Sequence, residues 1–384
     1  SAPAGWDRAK SSAVNPRASI SATASASPIA SEAVVLEVGA RSIGQASAGT
    51  LTSRWTSAAR ARLDAGRPVI VISGLPWRFS TGSSITGAGA RPLYDYTTEA
   101  ALLMPCALPV LGIPPMPTAA AQCAALADAG LVSGDTLEAR QRSAYDTLRV
   151  NGWTDAALRA GSISVGFDLW RAVAVTYASA YGRFGVAEHP CGHTFSALTA
   201  EGAPRPATGA ERAAWFADGS GIPPGAGVGM VAPTGDSDAR LKELQCLRGM
   251  WDGQGADADR VRTGIEALTA RTPRAGLPVM VVHGLDDGLI PTAFTSAPYV
   301  AAAQAAGADV RHWQVRNVQH FDAFLGLPAY GAHYLPLLPY IYEALDRTWA
   351  HLHDGAPMPA DAVIATTPRG VGNALKASDL AMPE

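Results

Sequence analysis

The feature that most constrains the fold is residues 277–291, Leu-Pro-Val-Met-Val-Val-His-Gly-Leu-Asp-Asp-Gly-Leu-Ile-Pro. Residues 278–282 form a short apolar run rich in β-branched side chains, the pattern of a strand buried on both faces of a parallel sheet. The run breaks at His283-Gly284, and Asp286 and Asp287 follow where the chain leaves the sheet. In open α/β sheets the carboxyl ends of strands are where ligands and catalytic groups collect. A second candidate strand, residues 310–315, runs into Asn317-Val318-Gln319-His320-Phe321-Asp322. Between the two strands, the alanine-rich residues 298–306 open on Pro298 and stop at Gly307, normal start and stop signals for a helix.

Strand, acid, helix, strand, histidine is the order of the second half of an α/β-hydrolase site, in which nucleophile, acid and base follow one another along the chain. The expected fold class is therefore α/β: an α/β-hydrolase-type parallel sheet with a large, mainly helical cap insertion. The spacing His-Gly-x-x-Asp-x-x-x-Pro selects Asp287 rather than Asp286 as the acid, with His320 as its partner 33 residues on (320 − 287). An imidazole takes a proton from a hydroxyl when its other ring nitrogen is held and its positive charge is stabilised, and a carboxylate does both. The competing structural reading is an N-cap aspartate and a loop histidine. His283, beside Gly284, reads as satisfying backbone rather than doing chemistry.

The nucleophile is not legible. Residues 67–74 resemble a buried strand running into a turn, but Ser73 is flanked at two residues' distance by Val71 and Leu75, too large for a nucleophile elbow. Ser84 has Gly82 before it and Thr86 after it, yet no strand leads into it. Residues 1–50 are Ser/Ala-rich without a sustained period, a poorly structured or divergent segment. Residues 51–90, with a helix over 53–65, read as partial hydrolase core. Residues 91–253 carry candidate helices at 119–129, 136–151, 167–184 and 236–251 and form the expected cap, whose loops would set substrate choice. Residues 254–354 form the core with acid and base, including a helix over 256–271 and a closing helix in the later part of 334–352. Residues 355–384 are a Pro/Ala-rich tail, extended or loosely packed.

Charged residues are 16%, hydrophobic residues 48% and net charge −3, so nucleic acid is not an expected partner. The longest apolar stretch, residues 100–117, is cut by Pro105, Pro109, Pro114 and Pro115, so no membrane insertion is expected. Gly219 to Gly229 is glycine-rich but lacks the Gly-Lys-Ser/Thr of a phosphate loop, and no cofactor is expected. The four cysteines, Cys106, Cys123, Cys191 and Cys246, include no C-x-x-C and no zinc-like Cys/His spacing, so no metal site is expected. They permit three pairings. A Cys106–Cys123 disulfide, closing a short loop of about 17 residues, is the expected one. With no initiator Met, the chain reads as a processed or partial product.

Three groups of residues resemble the D-(−)-3-hydroxybutyrate oligomer hydrolase family. They are Val282-His283-Gly284 with Asp287 and Pro291, Asn317 through Phe324, and Ala365-Thr366-Thr367-Pro368-Arg369-Gly370. Arg91-Pro92-Leu93-Tyr94-Asp95-Tyr96, Pro105-Cys106, Cys191-Gly192 and Cys246-Leu247-Arg248 extend the resemblance over about residues 85–370. It implies a secreted or periplasmic serine esterase of poly(3-hydroxybutyrate) degradation, cutting short ester oligomers to monomers, with Asp287 and His320 in its charge relay. The family's nucleophile lies upstream in a Ser-Asn-Gly-Gly type turn, a motif this sequence lacks. The chain thus reads as the C-terminal part of such an enzyme, with an upstream portion of the same enzyme as an expected partner. Two alternatives stay open: a catalytically silent fragment or oligomer-binding module, and a tannase-like esterase acting on aromatic esters.

Overall fold

The computed structural model describes residues 34–35, 69–70, 88–166, 168–185, 188–199, 203–211, 229–231 and 239–383. Two short strands, β1 (Val34–Val35) and β2 (Val69–Ile70), pair in parallel. The helix expected over 53–65 lies outside the described residues, as do Ser73, Ser84 and most of the loop between Gly219 and Gly229.

A helical block follows: α1 (Leu93–Ala107), α2 (Ala119–Asp128), α3 (Leu137–Val150), α4 (Asp155–Gly166) and α5 (Leu169–Gly182). Its later part holds three antiparallel strands in the order β4-β3-β5, namely β3 (Thr194–Leu198), β4 (Pro204–Arg205) and β5 (Gly229–Val231). Two more helices, α6 (Ala239–Asp252) and α7 (Ala256–Ala267), return to the block. The region is mainly helical, as expected, with a small antiparallel sheet in its later part.

The block is built around α1, every residue of which is buried. Such a helix must satisfy its polar groups internally. Thr97 and Thr98 donate their hydroxyls to the carbonyls of Leu93 (2.7 Å) and Tyr94 (2.8 Å). Pro105 supplies no N–H to the carbonyl of Ala101. The buried Gln122 amide of α2 donates there instead (3.2 Å) and to Leu102 O (2.7 Å). The helix runs through Pro105 because a side chain from elsewhere replaces the missing donor. Beside it, Cys106 and Cys123 form the expected disulfide, joining α1 to α2. A second disulfide, Cys191–Cys246, closes 55 residues onto α6.

The second half is a three-layer arrangement. Strands β6 (Val279–Gly284) and β7 (Val310–Val315) pair in parallel, Val279 opposite Val310 through Gly284 opposite Val315. Helix α8 (Ser296–Ala305) connects them. After β7 come a 3-10 turn (Asp322–Gly326), α9 (Pro328–His333), α10 (Leu338–Asp354), β8 (Ala362–Ile364) and α11 (Ala377–Leu380). Side chains alternate along a strand, so Met280 and Val282 pack with Trp313, Val315 and the Tyr340 and Ile341 of α10. Val279 and Val281 pack on the other face, with Val300 and Ala303 of α8. Among the described residues the sheet is parallel, with helices on both faces, an α/β architecture.

The C-terminal stretch is extended, one of the two expected states, over residues 362–364, and it is tied to the rest of the half at several points. Strand β8 pairs with β7, Trp313 opposite Ala362. The Tyr340 hydroxyl donates to Leu380 O (2.6 Å), and Thr366 donates to Arg316 O (2.6 Å). Pro/Ala composition concealed a strand because β8 is three residues long and depends on its neighbour for hydrogen bonds.

Candidate active site

Asp287 sits in the turn after β6 and His320 in the loop after β7, at the carboxyl ends of adjacent parallel strands. His320 Nδ1 lies 3.0 Å from Asp287 Oδ2, with both side chains almost fully buried. Two close approaches create this geometry. Asp286 N–H donates to Val318 O (3.1 Å), stitching the acid turn to the histidine loop. A Cβ at Gly284 would lie 2.4 Å from Val318 O, so a side chain there would push the two loops apart.

The histidine loop braces itself. Asn317 adopts a left-handed conformation (φ 54°), which asparagine tolerates better than most residues. Its amide donates to Thr366 O and Oγ1, both at 3.1 Å. Gln319 bridges over His320, accepting from Phe321 N–H (2.8 Å) and donating to Phe321 O (2.6 Å). Asp322 accepts from the N–H groups of Leu337 (3.0 Å) and Leu338, at the start of α10, where the helix dipole favours a carboxylate.

The other oxygen of Asp287 accepts from Leu289 N–H (2.8 Å) and Ile290 N–H (2.7 Å). Burial alone would raise its pKa. The charge of His320 and hydrogen bonds from His283 and His320 win, holding the carboxyl well below the usual carboxylate range. The neighbouring Asp286 is pushed up by burial, so the two acids of the turn differ in character. His283 does not satisfy backbone as expected. Its Nδ1 lies 2.6 Å from Ser296 Oγ and its Nε2 3.3 Å from Asp287 Oδ2. Strand parity was the available signal: residues 279, 281 and 283 share the face that packs on α8, which begins at Ser296.

The helical block holds the acid turn directly. A Cβ at Gly288 would lie 2.2 Å from Gly161 N and 2.6 Å from Ala157 O of α4, so turn and helix touch backbone to backbone. Phe294 packs against Tyr96 and Trp153, with the Arg91 guanidinium 4.7 Å from its ring centre. Arg91 N–H also donates to Phe294 O (3.0 Å). Arg91 in turn pairs with Asp95 (2.8 Å) and Glu99 (2.9 Å), and Arg248 pairs with Asp95 (2.7 Å). The Arg91–Asp95 and Arg248 motifs thus brace the acid turn through Phe294. Gly288→Ala is expected to destabilise the fold by about 1–3 kcal/mol, since the turn or α4 must move. Urea denaturation measures it, and a change under a few tenths of a kcal/mol would deny the close contact.

Burial also sets the response to acid. The His312 imidazole, on β7 opposite Val281, is pushed down to about 4 by burial and, secondarily, by His283. An unfolded histidine takes up its proton near pH 6.5. Between there and about 4 the unfolded chain binds a proton that the folded chain excludes, so stability falls as pH falls. Asp287 acts lower. Its folded value is depressed, so its contribution is full above the unfolded value and is lost as pH drops through the folded one. Melting temperature is expected to decline from pH 7 to pH 4, and His312→Met to flatten the upper half of that decline. An unchanged slope in the variant would contradict the assignment.

Among the described residues Nε2 of His320 has no hydrogen-bond partner, and no His/Cys/Asp/Glu group could hold a metal ion. No described helix is long and apolar enough to cross a membrane. The arrangement can orient an imidazole and stabilise its cation, with a free ring nitrogen for a hydroxyl or water.

Comparison with known proteins gives a consistent result. The family model described as 3HB-oligomer hydrolase matches residues 69–383, beginning earlier than the motifs alone suggested. A D-(−)-3-hydroxybutyrate oligomer hydrolase of Azoarcus sp. is 36% identical over 322 residues, covering 76% of this chain and 46% of the relative. The similarly named protein of Paracidovorax citrulli is 36% identical over 326 residues, covering 75% of this chain and 46% of its own. That of Cupriavidus necator is 34% identical, covering 75% and 44%. The chain spans about half the length of these curated relatives. No solved structure matches.

Proposed function

Because the chain belongs to the 3HB-oligomer hydrolase family, we propose that it is a serine-type carboxylic ester hydrolase. In this reading it has an α/β-hydrolase-type core with the helical block as cap, and cleaves 3-hydroxybutyrate oligomers to monomers. The observation that carries the proposal is the 3.0 Å contact between Asp287 and His320 at the ends of adjacent parallel strands. A carboxylate so strongly held as an anion keeps the proton of a neutral imidazole on Nδ1, and it stabilises the cation formed when Nε2 accepts one.

The chemistry then follows. A serine hydroxyl attacks the ester carbonyl while His320 takes its proton, and backbone N–H groups hold the oxyanion. The alkoxide of the leaving hydroxybutyrate takes that proton back from His320, and water repeats the sequence on the acyl-enzyme. The serine is not assigned: Ser73 and Ser84 lie outside the described residues. Two disulfides fit an oxidising compartment, in keeping with a secreted or periplasmic enzyme.

The test is hydrolysis of a hydroxybutyrate dimer and of a gallate ester by the parent and by His320→Ala. The proposal expects preference for the dimer and loss of hydrolysis in the variant. Undiminished hydrolysis in the variant would contradict His320 as base, and preference for the gallate would favour the tannase-like reading. Oligomer binding without turnover, with no serine labelled by a fluorophosphonate, would favour a binding module.

A further inference from the structure

Asp287 carries two histidines, and the mechanism uses one. His283 and Ser296 are buried, at 3% and 4% exposure. A carboxylate only accepts hydrogen bonds. The nitrogen of His283 that faces Asp287 is Nε2, at 3.3 Å, so it carries the proton. In a neutral ring Nδ1 is then the acceptor, and its partner at 2.6 Å is the Ser296 hydroxyl, which donates. The proton positions thus run one way, from Ser296 through His283 to Asp287.

We propose that His283 is a positioning residue, held by Asp287 in the tautomer protonated on Nε2 with the Ser296 hydroxyl turned to donate to its Nδ1, and that it fixes the Asp287 oxygen facing His320. This rests on the reading of Asp287 and His320 given above. With His283 in place, Oδ1 accepts from Leu289 and Ile290 N–H and Oδ2 from two imidazoles, which uses the full capacity of a carboxylate. The carboxylate can then neither rotate nor concentrate its charge on one donor. The other titratable groups facing the cluster are His312 of β7 beside His283, Asp322 near His320, and Tyr96 of α1 and Tyr330 of α9 near Asp287.

The test is nitrogen-15 NMR of the histidines in the full chain, with His320 assigned by its loss in His320→Ala. In the parent, His283 is expected to carry a proton on Nε2 and none on Nδ1. His283→Gln places an amide N–H near the Nε2 position and keeps the donor to Asp287. His283→Asn places its amide near Nδ1, keeping the Ser296 side and losing Asp287. The His320 N–H resonance should stay near the parent value in the Gln variant. In the Asn variant it should move downfield, because Oδ2 then has one donor and binds it more strongly. A parent proton on Nδ1, or the same response in both variants, overturns the proposal. If the Asn variant does not fold, the parent tautomer decides, because a proton on Nδ1 overturns the proposal there as well. Hydrolysis that survives His320→Ala would sink the base assignment without changing these spectra, so the two failures are distinguishable.

Discussion

Asp95→Ala is expected to lower the stability of the folded chain by about 3–5 kcal/mol, the usual cost of removing one partner of a buried ion pair. Asp95 is 8% exposed and accepts from two arginines, Arg91 at 2.8 and 3.0 Å and Arg248 at 2.7 Å. Burial would raise its pKa, but the two guanidinium groups more than offset this and hold the carboxyl below the usual carboxylate range. Removing it leaves two cations facing each other, with Glu99 beside Arg91 and the more exposed Asp252 beside Arg248 to compensate in part. Glu99 is already engaged by Trp153 Nε1 (2.9 Å) and by the Asn151 amide. The expected readout is a lower midpoint of chemical denaturation at unchanged slope. Because Arg91 also holds Phe294 of the acid turn, the variant should lose hydrolysis at temperatures where the parent is still active. A loss of stability below about 1 kcal/mol would show that the network is solvated in practice.

Asp287→Asn is expected to cost about three to four orders of magnitude in kcat, with a much smaller change in KM. The amide removes the negative charge that stabilises the imidazolium, and its NH2 group can face His320 and force the proton onto Nε2. The base would then present N–H where it must accept. The amide oxygen can still accept from Leu289 and Ile290 N–H, so the turn should hold its shape. A variant that stays folded with a kcat within tenfold of the parent would remove Asp287 from the mechanism.

Much of this arrangement was legible in the sequence. The run at 310–315 is β7 to the residue, and the run at 278–282 is β6 shifted by one or two positions. The run at 278–282 is continuously apolar, whereas Val310-Arg311-His312-Trp313-Gln314-Val315 carries Val and Trp among polar residues, and both read locally as strands. Thr136 begins α3 as an N-cap, accepting from Ala139 N–H (3.2 Å). What was not legible depends on partners distant in sequence. Helix α1 survives Pro105 because Gln122 supplies a donor. Strand β8 exists because β7 offers an edge. His283 was read from its nearest neighbour, Gly284, whereas its true partners are Ser296 and Asp287. The brace around Asp95 was recognisable as a motif, but its purpose required seeing Arg248 reach across 153 residues.

The most direct test of the account is release of 3-hydroxybutyrate from its dimer by the purified chain, compared with His320→Ala at equal concentration of folded protein. The account predicts release by the parent and a loss of about a thousandfold or more in the variant. Undiminished release by His320→Ala would contradict it.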